Sequence, residues 1–122
     1  MMRIYIVIPR TVDSEKPPFK LCMSCGRMAA HAAHAAAMVQ DKRPDINVSD
    51  LDLIVLSVGS SRDLLILRDA LKCEGVQSEE YKDVDKAFEG ELLTAICTWP
   101  IEAKSSKALN ALRPWKCACN ET

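Results

Sequence analysis

The stretch that most constrains this chain is RMAAHAAHAAAMVQ, residues 27–40, because alanine at that density commits the backbone to a helix. Ser24 stands ready as an N-cap and Pro44 cannot be continued through, so the helix is predicted from about Gly26 to Lys42. Ala29, Ala30, Ala33, Ala36 and Ala37 remove side-chain bulk, and this small-residue stripe predicts a helix lying close against a sheet. The flanks supply sheet material. Residues Arg3 to Ile8 are rich in β-branched side chains and read as a buried strand, and Leu51 to Val58 reads as a second. Gly59 is expected to end that strand, and Ser60 with Asp63 forms a capping-box-like start for another helix. Leu64, Leu65, Leu67, Ala70 and Leu71 give its apolar face, and Gly75 sits where a C′ residue belongs.

The remaining segments are less distinct. TVDSEKPPFK, residues 11–20, is polar and holds two prolines, which predicts a surface loop. A short third strand is expected in Val76 to Tyr81 and a last one in Leu92 to Thr98, followed by a helix from about Glu102 to Leu112 that Pro114 stops. This order predicts a single α/β domain over residues 1–122: a three-layer sandwich with a four-stranded mixed sheet flanked by helices and at least one right-handed crossover. A chain of 122 residues can bury such a core without disulfides or a structural metal.

Charge and cysteine usage narrow the class. A net charge of −1 gives no global attraction to nucleic acid or membrane, so any RNA contact must come from a local patch. The apolar run before Pro9 is too short for a signal segment or a membrane span, which predicts no membrane partner and a cytoplasmic chain. The six cysteines are then expected to be reduced thiols, with Cys73 and Cys97 in the core.

The segment Gly26-Arg27-Met28-Ala29-Ala30-His31-Ala32-Ala33-His34-Ala35, placed after strand one, resembles the first-helix signature of the archaeal and eukaryotic peptidyl-tRNA hydrolase 2 family. That pattern is Gly-Lys/Arg-x-Ala-Ala-Gln-x-Ala-His-Ala, and His31 stands where the family has glutamine. The resemblance extends over nearly the whole chain, with Trp99-Pro100 at the end of the last strand. It implies a peptidyl-tRNA hydrolase 2-like fold, hydrolysis of the ester between peptide and tRNA, tRNA or peptidyl-tRNA as partner, and no cofactor. The family's second signature, Asp-Ala-Gly-x-Thr, is represented by Asp83-Val84-Asp85-Lys86-Ala87, of which Asp83 carries over. Of the residues associated with catalysis in the family, the lysine position is taken by Cys25 and the threonine position by Ala87. The runner-up is therefore a non-catalytic binding or assembly module of the same fold.

Ester hydrolysis needs an activated water, a donor for the oxyanion and cations for the RNA phosphates. Asp83 is the candidate for accepting a proton from water or orienting it, with either Asp83 or Asp85 as the inward carboxylate. Arg27 and Lys20 are candidates for holding phosphate, within a patch that includes Arg10 and Lys16. His31 replaces the family's glutamine as a polar group facing substrate. His34, three residues on, lies about 60° around the helix axis and is either a further substrate contact or a histidine satisfied by hydrogen bonds under the sheet edge. Cys25, at a helix entrance beside basic residues, suggests a thiolate and hence a cysteine hydrolase or redox site. Cys22, Cys25, His31 and His34 include zinc-type ligands, but a helix rise of about 1.5 Å per residue separates Cys25 from His34 by roughly 13 Å, so no metal is predicted. Residues 74–91 carry seven carboxylates against two lysines, a run that would repel RNA beside Asp83. Trp115, next to Pro114 and Lys116, offers a homodimer or partner contact, or else packs back on the sheet.

Overall fold

A computed structural model describes residues 1–13, 20–85 and 90–116, with residues 20, 84, 85, 90 and 91 described by backbone alone. The first strand, β1, runs over Met2–Asp13, and β2 over Lys20–Cys22 returns antiparallel to its end. Helix α1 covers Cys25–Lys42 and a 3-10 turn covers Val48–Asp50. Strand β3, Asp52–Ser60, feeds α2, Ser61–Cys73. Strands β4, Ser78–Asp85, and β5, Gly90–Thr98, form an antiparallel pair. The chain ends with β6, Ile101–Glu102, a single-turn α3, Lys107–Asn110, and β7, Arg113–Pro114.

The sheet is mixed and has seven strands, in the order β4-β5-β1-β3-β7, with β2 and β6 also paired to β1. Four of these are long and correspond to the expected strands; the expectation of four in all is corrected by the short β2, β6 and β7. Two- and three-residue pairings leave no period-two pattern long enough to read. β1 and β3 are parallel, and β5 is antiparallel to both β1 and β4, so β4 also runs parallel to β1. The chain moves one way along the sheet from β1 to β3 and back across it from β3 to β4. Right-handed crossovers in opposite directions require helices on opposite faces.

The packing has that form. Ile4, Ile6 and Ile8 of β1 join Ala35 and Val39 of α1 in one core layer. Tyr5 and Val7, pointing the other way, join Leu64, Leu67 and Leu71 of α2 and Leu109 of α3 in the second. Burying each of these large aliphatic side chains stabilises the fold by about 1.5–3 kcal/mol.

Local chemistry sets the helix ends. Ser24 accepts from the Arg27 amide and Ser60 from the Asp63 amide, as caps should. At the end of α2 the Gly75 amide donates to Lys72 and the Val76 amide to Leu71, a Schellman closure with Gly75 at φ +76°.

Other expectations need correction. Strand β1 does not stop at Ile8 but continues to Asp13, because Thr11, Val12 and Asp13 pair with β2, and Thr11 and Val12 carry β-branched side chains. The predicted loop is thus partly a hairpin; Pro17 and Pro18 lie outside the described residues. The third strand is longer than expected and begins later. The helix expected over Glu102–Leu112 shrinks to one turn, since Ile101 and Glu102 pair with β1 and Lys104 takes φ 65°.

The alanine stripe is also misassigned. The buried residues of α1 are His31, Ala35 and Val39, whereas Ala29, Ala30, Ala33 and Ala37 are exposed. The spacing of four between the buried positions marks the true sheet-facing line. Ala36 of the stripe, with Ala32, is half-buried and packs against the α1-side core, while the four exposed alanines favour helix formation without joining it.

Candidate active site at the opening turns of helix α1

Strand β4 lies under the first half of α1, and period two puts Glu79, Tyr81 and Asp83 on the face that α1 covers. Helical spacing brings His31 onto this strand. Its Nε2 lies 3.2 Å from Asp83 Oδ2, with the histidine side chain 6% and the aspartate side chain 21% exposed. Asp83 can only accept, so the imidazole carries its proton on Nε2 and donates it. Its Nδ1 is buried with no hydrogen-bond partner among the described residues.

Burial is the largest influence on His31 and lowers its pKa below 6.5; Asp83 works against this, while the charge of Arg27 and then that of His34 reinforce it. The neutral imidazole is therefore the form selected near neutral pH. Since its free nitrogen faces the interior, His31 cannot take a proton from a bound water in this arrangement. Its effect is to fix the Asp83 carboxylate, leaving the exposed part of that group for solvent or substrate.

Tyr81 connects the two histidines. His34 stacks on the Tyr81 ring with centroids 4.9 Å apart and planes within 5°, and His31 meets the same ring at 5.2 Å and 50°. His34 is exposed. The reading of His34 as a histidine satisfied beneath the sheet edge is thus corrected: helical rotation turns one histidine inward and the other outward. In the sequence Tyr81 stands only as the end of the expected third strand. Its place two residues before Asp83 was the available signal that both share a face.

The strand geometry contributes to this placement. The register between β4 and β5 shifts at Tyr81/Lys82, where Tyr81 pairs with Ala95 and Lys82 with Leu93. The extra residue is Thr94, fully buried with its hydroxyl unpartnered among the described residues. Such a bulge bends and twists the pair locally, here just before Asp83.

The other candidates divide. Arg27 lies near enough for its charge to act on His31. His31 itself, expected to face substrate, faces Asp83 instead. Lys20 is in β2 next to the helix entrance, with its backbone alone described. The Asp85 side chain and the whole of Lys16, Ala87, Cys117 and Cys119 lie outside the described residues. Arg10 lines a groove beside α2 and its carbonyl accepts from the Met23 amide just before the helix entrance.

Cys25 is disulfide-bonded, whereas Cys22, Cys73 and Cys97 are free. A thiolate at Cys25 therefore arises only on reduction, and the expectation of reduced thiols fails at this position. Cys73 is exposed on the last turn of α2 and not in the core; Cys97 is buried, and burial pushes its thiol up to about 12. Among the described residues no three His, Cys, Asp or Glu side chains gather as a metal site.

No protein-family model matches this chain, and no curated protein matches it either. Among the described residues no helix is long and apolar enough to cross a membrane. Part of the acidic run is occupied within the fold: Glu79 accepts from Trp99 Nε1 at 2.9 Å, Glu80 lies 3.6 Å from Arg68, and Glu74 accepts from Ser106 and the Ala108 amide. Of these only Glu80 meets a cation; Glu79 and Glu74 accept from neutral donors and keep their charge, so the repulsion toward a polyanion is reduced by one pair alone. Trp115 packs against the α1-side core, and its amide donates to Val55, so the packed-back alternative holds for this residue.

Proposed function

We propose that this chain is a divergent peptidyl-tRNA hydrolase 2-like protein that cleaves the ester between a peptidyl group and the tRNA ribose. The observation that carries this reading is the contact of His31 with Asp83, which brings together one residue of each sequence signature where α1 packs on β4. Asp83 takes a proton from a water as that water attacks the ester carbonyl, and the ribose oxygen leaves with a proton supplied by solvent. His31 is a positioning residue that holds the carboxylate. Arg27 has the charge required for a phosphate at the same place, and His34 on Tyr81 presents a flat face beside it.

The test is release of peptide from peptidyl-tRNA by the native chain and by Asp83→Asn. Loss of a general base typically costs about 10²–10⁴-fold, so a drop of that order supports the reading. Equal release at the uncatalysed rate from both proteins would end it. One observation favours a second reading, a non-catalytic binding or assembly module: a disulfide-bonded cysteine stands where the family has its lysine. In that case peptidyl-tRNA is bound without turnover, and Arg27→Gln weakens binding.

A further inference from the structure

A groove of about 660 Å³ lies between α2 and residues 111–116, beside the carboxyl end of β3, and neither His31 nor Asp83 lines it. Small-molecule sites typically enclose roughly 300–1,000 Å³. β1 and β3 are adjacent and parallel, yet the chain leaves β1 for a helix on one face and β3 for a helix on the other. The groove opens on the α2 side of this pair, between α2 and residues 111–116, with Arg10 and residues 57–59 along its strand side.

The surfaces of the groove are mixed in a specific way. Val58, Leu67 and Leu112 belong to the α2-side core and form its apolar floor. Ile66 stands in its wall at 61% exposure, on a helix that buries Leu64, Leu67 and Leu71. At its exposed edge Arg113 and Lys116 stand with a single carboxylate, Asp63. An apolar floor beneath an edge with more cations than anions suits a ligand with a hydrocarbon body and one negative end. Asp63 opposes a second negative charge, which favours a monoanion over a phosphate dianion.

The geometry points to a binding site for a small apolar carboxylate, its hydrocarbon part lying on Val58, Ile66, Leu67 and Leu112 and its acid group met by Arg113 and Lys116. The site is independent of the proposed hydrolysis and stands if that reading fails. Aliphatic and aromatic acids share the required chemistry, and octanoate serves as the probe.

Titration of the full chain with octanoate, 1-octanol and octyl phosphate, followed by calorimetry and by amide chemical shifts, tests it. Octanoate is expected to perturb residues 57–70 and 111–116 and to bind about tenfold tighter than 1-octanol, the effect of one or two partly exposed charge contacts. The double variant Arg113→Gln, Lys116→Gln changes only exposed side chains. It is expected to bring octanoate down to the affinity of 1-octanol, and Ile66→Asp to weaken both ligands. Octyl phosphate binding more tightly than octanoate would overturn the carboxylate assignment. Equal binding of octanoate and 1-octanol to the native chain, or shifts concentrated around His31 and Asp83, would overturn the site.

Discussion

Replacing Asp83 with leucine and with asparagine separates what the carboxylate does for the fold from what it does by charge. Leucine removes the acceptor of His31 Nε2–H while the imidazole stays buried at 4% exposure, so water cannot easily substitute. A buried donor left unsatisfied costs about 1–3 kcal/mol, and a freed apolar side chain at a one-fifth exposed position offsets little, which sets the expectation near ~2 kcal/mol. For a domain of this size that lowers Tm by roughly 5–10 °C. Asparagine keeps an oxygen in place and is expected to cost under about 1 kcal/mol. The pH dependence has a definite sign. The folded pKa of His31 lies below the unfolded 6.5, so its contribution to stability is complete above that pH and is lost as pH falls through the folded value. Asp83 raises the His31 pKa, so Asp83→Asn moves it lower still. Urea denaturation at pH 7.5 and 5.5, with an NMR titration of the imidazoles assigned through His34→Gln, measures both effects. Asparagine costing as much as leucine, or His31 titrating above 6.5 in the native chain, would refute the reasoning.

Gly75→Ala meets no neighbouring atom but must hold φ +76°, so it is expected to lose about 1–2 kcal/mol in urea denaturation through backbone strain alone. Cys97 is expected to resist iodoacetamide at pH 8 in the folded chain while exposed Cys22 and Cys73 label, and to react only on unfolding, as mass spectrometry of the labelled peptides will show. Ala35→Leu is expected to cost about 1–3 kcal/mol by overpacking against the sheet, whereas Ala33→Leu, on the exposed side of α1, should change stability by less than about 0.5 kcal/mol; thermal melts distinguish the two.

The sequence was most legible where one residue decides a backbone state. Ser24, Ser60 and Gly75 each act through their own side chain or the lack of one, and the ends they mark agree with the structure. The long strands were readable because Ile4, Ile6 and Ile8 repeat a buried composition. Features set by distant pairing were not. Thr11 to Asp13 become strand because Leu21 and Cys22 come back to meet them, and Ile101 because Arg3 is free to pair with it. The alanine face of α1 misled for a related reason: alanine favours helix on either side, so composition does not reveal which line meets the sheet. At the site, the contact of His31 with Asp83 joins residues 52 positions apart, and no local pattern encodes it. The disulfide at Cys25 could not be read from spacing, since six cysteines allow many pairings.

Strand β1 is made before the other strands of this sheet, yet nearly everything it needs comes later. Its amide at Tyr5 waits for the hydroxyl of Thr98, 93 residues on, and its neighbours β3, β5 and β6 arrive in succession. A chain stalled before β5 therefore presents Ile4, Ile6 and Ile8 along an unpaired edge, a template for joining other unfinished chains. Folding of this domain is expected to wait for the release of its last quarter from the ribosome, with high contact order making the step slow.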